Sequence, residues 1–60
     1  MKRFSVTVRG KNDDSLGFDN VWADGTTEEE AKTATLEMVA KDTNRPKESL
    51  VVTAKFLKWL

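Results

Sequence analysis

Residues 21–40, VWADGTTEEEAKTATLEMVA, decide the fold of this chain. They run from the end of a predicted strand, through an Asp-Gly pair that is a strong turn signal, into one amphipathic helix. No other stretch of the 60 residues is long enough to form a second helix. The sequence therefore predicts a single helix over residues 28–41, and the strands on either side of it have to be fitted to that helix.

The start of the helix carries a capping signal. Thr27 followed by Glu30 fits a capping box, in which the threonine hydroxyl accepts a backbone amide and the glutamate reaches back toward the cap. Thr26 with Glu29 is a competing register of the same pattern. Consecutive glutamates in the first turn also suit the positive end of the helix dipole. Helix physics therefore accounts for this acidic segment, and an acidic contact surface for a basic partner is the functional alternative.

The helix has one apolar face. Its members follow i, i+3, i+4, i+7 spacing and are Ala31, Ala34, Thr35 and Met38, with Val39 beside them. Leu36 falls well off this face. The pattern predicts that this face packs on the sheet and that the small alanines let the helix lie close to it.

Three strands are predicted around the helix, over residues 3–9, 18–23 and 50–59. Residues 3–9 and 50–59 alternate between apolar and polar side chains, which is the period of a half-buried strand. The second strand allows two facings: Val21 and Ala23 point inward and Trp22 outward, or the reverse. The choice matters because a slip of one residue sends every side chain to the other face.

The element order β-β-α-β predicts a small α+β domain spanning residues 1–60. A hairpin makes the second strand antiparallel to the first, and a right-handed crossover through the helix brings the last strand beside the first. The expected architecture is a two-layer sandwich, with a three-stranded antiparallel sheet in the order 2-1-3 and one helix packed on one face. The expected core consists of Phe4, Val6, Val8, Val21, Ala23, Ala31, Ala34, Met38, Val39, Val52, Ala54 and Phe56.

Composition excludes several chemistries. The chain has no Cys and no His, so it has no disulfide framework and cannot use Ser-His or Cys-His nucleophilic catalysis. A domain this small has little room for a pocket, and we expect no enzymatic activity and no cofactor. The acidic loop over residues 12–19 lacks the spacing of an EF-hand, and we expect no metal site. The net charge is zero, unlike that of most nucleic-acid-binding domains.

The sheet face away from the helix is the most informative expectation, because nothing covers it. It is predicted to carry aromatic and basic side chains suited to binding a partner: Arg3, Arg9, Trp22, Lys55 and Trp59. Such an exposed face marks an interaction site, and Trp is enriched at binding hot spots. We rank a protein partner first, a homodimer formed by packed sheet faces second, and single-stranded nucleic acid stacked on the aromatics third.

The chain has no signal-peptide core, and no apolar run approaches the ~20 residues of a membrane helix. We therefore expect a cytoplasmic protein with no membrane partner.

The segment VWADGTTEEEAKTA, residues 21–34, resembles the corresponding part of the small phage-encoded inhibitors of bacterial RNA polymerase. Those host-takeover proteins share the β-β-α-β order. The resemblance implies a non-enzymatic protein that binds a host protein and inhibits or modulates it. It covers residues 3–58 as topology and residues 21–34 as motif, and it carries no individual functional residue onto this sequence.

Overall fold

The structure is a computed structural model that describes residues 1–13 and 15–60. Asp14, in the predicted hairpin loop, lies outside the described residues. The elements in chain order are β1 (Lys2–Gly10), β2 (Gly17–Gly25), α1 (Glu28–Thr43), a short 3-10 helix (Lys47–Ser49) and β3 (Leu50–Trp59). Each predicted element is present, and the observed bounds differ from the predicted ones by at most two residues.

The three strands form one antiparallel sheet in the order β2-β1-β3, and α1 packs against all three strands. The predicted β-β-α-β fold is therefore confirmed. Val21 lies opposite Val6 and Ala23 opposite Phe4. Because residues directly opposite each other share a face, these two side chains point toward the helix and Trp22 points away from it.

Local signals set both ends of the helix. The backbone N–H of Glu30 donates to the Thr27 hydroxyl at 3.2 Å, which confirms Thr27 as the cap. The second half of the predicted capping box is wrong, because the Glu30 carboxylate accepts from the Thr26 hydroxyl instead. At the other end Asn44 adopts the left-handed conformation, with φ 55°, and its N–H reaches the carbonyls of Ala40 and Lys41. Asn tolerates this conformation, which commonly ends helices.

The core lies between α1 and the inner face of the sheet. Its buried residues are Phe4, Val6, Val8, Ala31, Thr35, Val39, Ala40 and Leu50. Half-buried residues packed against them are Leu16, Val21, Ala23, Leu36, Val52 and Ala54. The alternation of β1 places its apolar positions in this core as predicted.

The predicted buried face of the helix is partly wrong. Ala34 is exposed and Met38 is 49% exposed, whereas Ala40 is buried and Leu36 is half-buried. The line that faces the sheet runs through Ala31 and its i+4 and i+8 neighbours. This rotation covers Leu36 and Ala40, which flank that line, and leaves Met38 to solvent. Apolar side chains flank this line on both sides, so the packing of the helix on the sheet decides which of them are buried.

The outer strand β2 contains a bulge. In β2 the pairing passes from Val6 opposite Val21 to Val8 opposite Phe18, so β2 contributes one extra residue there. Asn20, within this bulge, has a φ of 55°, and bulges often contain a left-handed residue. The bulge puts Phe18 on the face of Val8, toward the helix. Phe18 therefore lies on the opposite sheet face from Trp22.

The helix crosses the sheet from the end of β2 to the start of β3, which lie on opposite edges. It therefore leaves the far end of β3 uncovered. Phe56 lies opposite Phe4 on the inner face as predicted, but it is 45% exposed rather than buried. A single helix on a three-stranded sheet has too little width to cover this corner.

Candidate functional site

The sheet face opposite the helix, called the open face below, carries four of the five residues predicted to bind a partner. Trp22 and Lys55 both lie opposite Ser5, on either side of it, and Arg3 and Arg9 lie on the same face of β1. The structure places these four residues on one face, and the pairing of β1 with β2 decides between the two facings of Trp22 that the sequence left open.

Trp22, Arg3 and Asp24 form a cluster on the β1–β2 side of this face, near the end of the sheet where β1 begins. The guanidinium carbon of Arg3 lies 5.1 Å from the centroid of the Trp22 ring, which is a cation–π contact. Arg3 also donates to both carboxylate oxygens of Asp24, from Nε at 2.9 Å and from Nη2 at 3.2 Å. This fork fixes the guanidinium plane beside the indole. Trp22 nevertheless stays 60% exposed and is available to a partner.

The Arg3–Asp24 pair also shifts the acid–base behaviour of the carboxyl group. The hydrogen bonds from Arg3 hold the pKa of Asp24 below its ordinary value, with smaller contributions from the charges of Arg3 and Lys58. The same pairing raises the pKa of Arg3. Both groups are therefore ionised near neutral pH, and their charges largely cancel on this part of the face.

The rest of the β1–β2 side of the open face is also paired across the strands. The Ser5 hydroxyl donates to Oδ1 of Asn20 at 2.7 Å, and Nη2 of Arg9 lies 2.5 Å from Oδ1 of Asp19. The β3 side differs, because Lys55 has no ion pair among residues 1–13 and 15–60. The open face is thus charge-balanced along β1 and β2 and positive along β3.

Trp59 does not join this face, so its predicted position is wrong. A bulge in β3 pairs Arg3 with Lys58 and Phe4 with Phe56, which leaves Leu57 as the extra residue. The alternation therefore reverses, and Trp59 lies opposite Lys2 on the helix side of the sheet. The Lys2 ammonium sits 4.7 Å from the centroid of the Trp59 ring.

Sequence reasoning missed the surface that Trp59 does form, here called the aromatic corner: Phe4, Phe56 and Trp59 with Lys2. Phe56 contacts both other rings edge to face, with centroid distances of 6.0 Å to each. Exposure rises along the row, from 4% at Phe4 to 45% at Phe56 and 69% at Trp59. The corner is thus the exposed margin of the core. Residues 56 and 59 cannot share a face in a regular strand, so only knowledge of the bulge could have revealed it.

The described part of the chain contains no cavity that could enclose a small molecule and no cluster of acidic side chains placed to hold a metal ion. Among its helices, none has the length and apolar character needed to span a membrane. Comparison with protein families, with curated proteins and with solved structures finds no match to this chain.

Proposed function

We propose that this chain is a small, non-enzymatic, cytoplasmic protein-binding module that inhibits or modulates a larger protein by direct contact through the open face. The observation that carries this proposal is Trp22, which stays 60% exposed on a sheet face that no other described element covers. Indole rings held in place on an exposed surface are typical anchors of protein interfaces.

The charges around Trp22 favour a protein over single-stranded nucleic acid. Nucleic-acid binding depends on cations that neutralise phosphates. Arg3 and Arg9 are instead engaged by Asp24 and Asp19, whose carboxylates would repel a phosphate backbone. A protein partner can pair with both signs of charge, and Lys55, which has no ion pair in the described part of the chain, supplies a cation on β3 for an acidic side chain of the partner.

The nature of the larger protein is proposed from the resemblance to phage inhibitors alone. On that basis the chain is phage-encoded and its target is a host protein. Binding by a rigid sheet face would act by covering a surface of the target or blocking its movement, since such a mechanism needs no chemistry from the module itself.

Affinity capture with quantitative mass spectrometry tests the proposal. Tagged wild-type protein, Trp22→Ala and Trp59→Ala are compared at equal low concentration in lysate of the bacterial host. The two variants form a matched pair, because each removes an exposed indole beside a cation but on opposite faces. We expect Trp22→Ala to lose the captured protein and Trp59→Ala to retain it. Equal recovery with both variants would exclude the open face, and loss with Trp59→Ala alone would move the contact to the aromatic corner.

A titration with a fluorescent single-stranded oligonucleotide separates the nucleic-acid alternative. We expect no binding at physiological salt. Binding that depends on Trp22 and weakens steeply as salt rises would overturn the assignment to a protein partner.

A further inference from the structure

We propose that the aromatic corner is a weak homodimer interface, in which a two-fold axis places the acidic helix start of one copy against Lys2 and Trp59 of the other. This goes beyond the proposed function, since it uses a different surface and a second copy of this chain rather than a larger protein.

The apolar part of the argument is the exposed margin of the core. Phe56 and Trp59 are among the exposed large apolar side chains, and both stack in one row with buried Phe4. In a domain of about 60 residues the core alone gives little stability, and such domains often gain more from a partner. Covering this row would extend the core across the interface.

The charge part of the argument comes from what lies beside the corner. Gly25, Lys2 and Trp59 form one row across the end of the sheet. The helix begins just after Gly25, and a side chain at Gly25 would meet the Cβ of Glu30 at 3.2 Å. The acidic first turn therefore lies at the β2 side of this end, about two strand spacings, or ~10 Å, from Trp59.

The two sides of this end of the sheet carry opposite charges, and each side has a charged group without an ion pair in the described residues. In the first turn Glu29 pairs with Lys32 and Glu30 bonds Thr26, but Glu28 has no side-chain partner in the described residues. On the other side Lys2 stacks on Trp59, and it too has no ion pair within residues 1–13 and 15–60. One end of the molecule thus presents an anion, an apolar row and a cation side by side.

A two-fold axis normal to the sheet makes that end complementary to itself. The rotation sets β2 of one copy against β3 of the other while both helices stay on the same side of the joined sheets. Glu28 of each copy then meets Lys2 and Trp59 of the other, and the contact occurs twice. Such an isologous arrangement closes at two copies and leaves the open face free.

Two other arrangements fit the charges less well. Side-by-side pairing of two β3 edges would bring Lys55 and Lys58 of both copies onto one face with no acid between them. An anionic lipid surface would attract Lys2 but would be repelled by the glutamates at the same end of the molecule.

The interface is small, because the molecule measures only 17 × 15 Å in its two shorter dimensions by Cα extent. An area of this size is typical of weak, transient association. Sedimentation equilibrium and NMR diffusion are therefore run up to about 1 mM protein, the range in which such contacts populate. We expect wild type to dimerise, Trp59→Ala to weaken dimerisation about tenfold, and Trp22→Ala to leave it unchanged.

A charge exchange tests the two-fold geometry directly. Glu28→Lys and Lys2→Glu should each weaken self-association, because each places two like-charged pairs in the interface. An equimolar mixture of the two variants should form a heterodimer that restores both opposite-charge pairs. Circular dichroism of each variant controls for folding.

Three outcomes would overturn the inference. They are a wild-type monomer over the whole concentration range, a dimer lost in Trp22→Ala but kept in Trp59→Ala, or a dimer whose charge variants do not recover on mixing. Because the capture experiment on the open face is done at low concentration with a different readout, either proposal can fail without the other.

Discussion

Trp22 and Trp59 lie on opposite faces of one three-stranded sheet, and each makes a cation–π contact with one of two consecutive cations of β1. Arg3 lies over Trp22 at 5.1 Å and Lys2 over Trp59 at 4.7 Å. Consecutive residues of a strand point to opposite faces, and Lys2 and Arg3 therefore reach indoles on the two different sides of the sheet. It divides the aromatic surface of the molecule into two sites that single substitutions can separate.

The bulge at Leu57 gives the first prediction. Deletion of Leu57 should remove the extra residue while keeping Phe56 opposite Phe4 and Trp59 opposite Lys2. The protein should fold, and Trp59 should keep its nuclear Overhauser contacts to Phe56 and Lys2. Deletion of Lys55 is the control, because it breaks a regular part of β3 and drives Phe56 to the open face. If Trp59 contacts open-face side chains in either the wild type or the Leu57 deletion, the bulge is misplaced.

The rotation of the helix gives the second prediction. Val39 is 2% exposed and the neighbouring Met38 is 49% exposed. Val39→Ala should lower the free energy of unfolding by about 2 kcal/mol, since it opens a cavity in the core. Met38→Ala should change it by less than about 0.5 kcal/mol, as expected for a surface position. Urea unfolding followed by circular dichroism measures both, and a loss of about 2 kcal/mol in Met38→Ala as well as in Val39→Ala would restore the helix face expected from sequence.

The helix cap gives the third prediction. Thr27→Ala removes the acceptor of the Glu30 N–H and should destabilise the protein by about 1 kcal/mol. Thr26→Ala is the matched control, because it removes only an exposed contact with the Glu30 side chain. Its effect on the unfolding midpoint in urea should be clearly smaller. Equal effects of the two substitutions would mean that Thr26 shares the capping role.

The ion pairs of Asp24 and Asp13 give the fourth prediction. The pKa of Asp24 is lowered by hydrogen bonds from Arg3, and that of Asp13 by hydrogen bonds from Ser15 first and Arg45 second. A carboxyl whose pKa is lowered on folding contributes stability that is complete above its unfolded pKa of about 4 and is lost as pH falls through the folded value. The melting temperature should therefore fall as the solution is acidified below about pH 4.

Substitution isolates these two carboxyls. Asp13→Asn and Asp24→Asn should each melt lower than wild type at pH 7 and should lose less stability on acidification. Glu48→Gln is the control, since Glu48 has no ion pair in the described part of the chain. If the melting temperatures of wild type and of both Asp variants fall in parallel as pH is lowered, these ion pairs do not stabilise the fold.

The sequence by itself determined the order of the elements and the inner face of β1, and it limited the helix cap to Thr27 or Thr26. These features depend on signals carried by residues close together in the chain: a period of two, a turn dipeptide and a hydroxyl three residues before an amide. The same signals gave the sheet order, because a hairpin followed by a right-handed crossover allows few arrangements.

Only the tertiary structure decided where the aromatics and the helix face lie. A bulge depends on how two strands pair along their whole length. The residues near Leu57 therefore do not predict that Trp59 lies on the helix side of the sheet. The rotation of α1 likewise depends on which side chains fill the space over the sheet, and that choice covers Leu36 in part and buries Ala40, while Ala34 and Met38 stay exposed. Local patterns therefore fix the elements of this small protein, while strand pairing and packing fix the surfaces through which it can act.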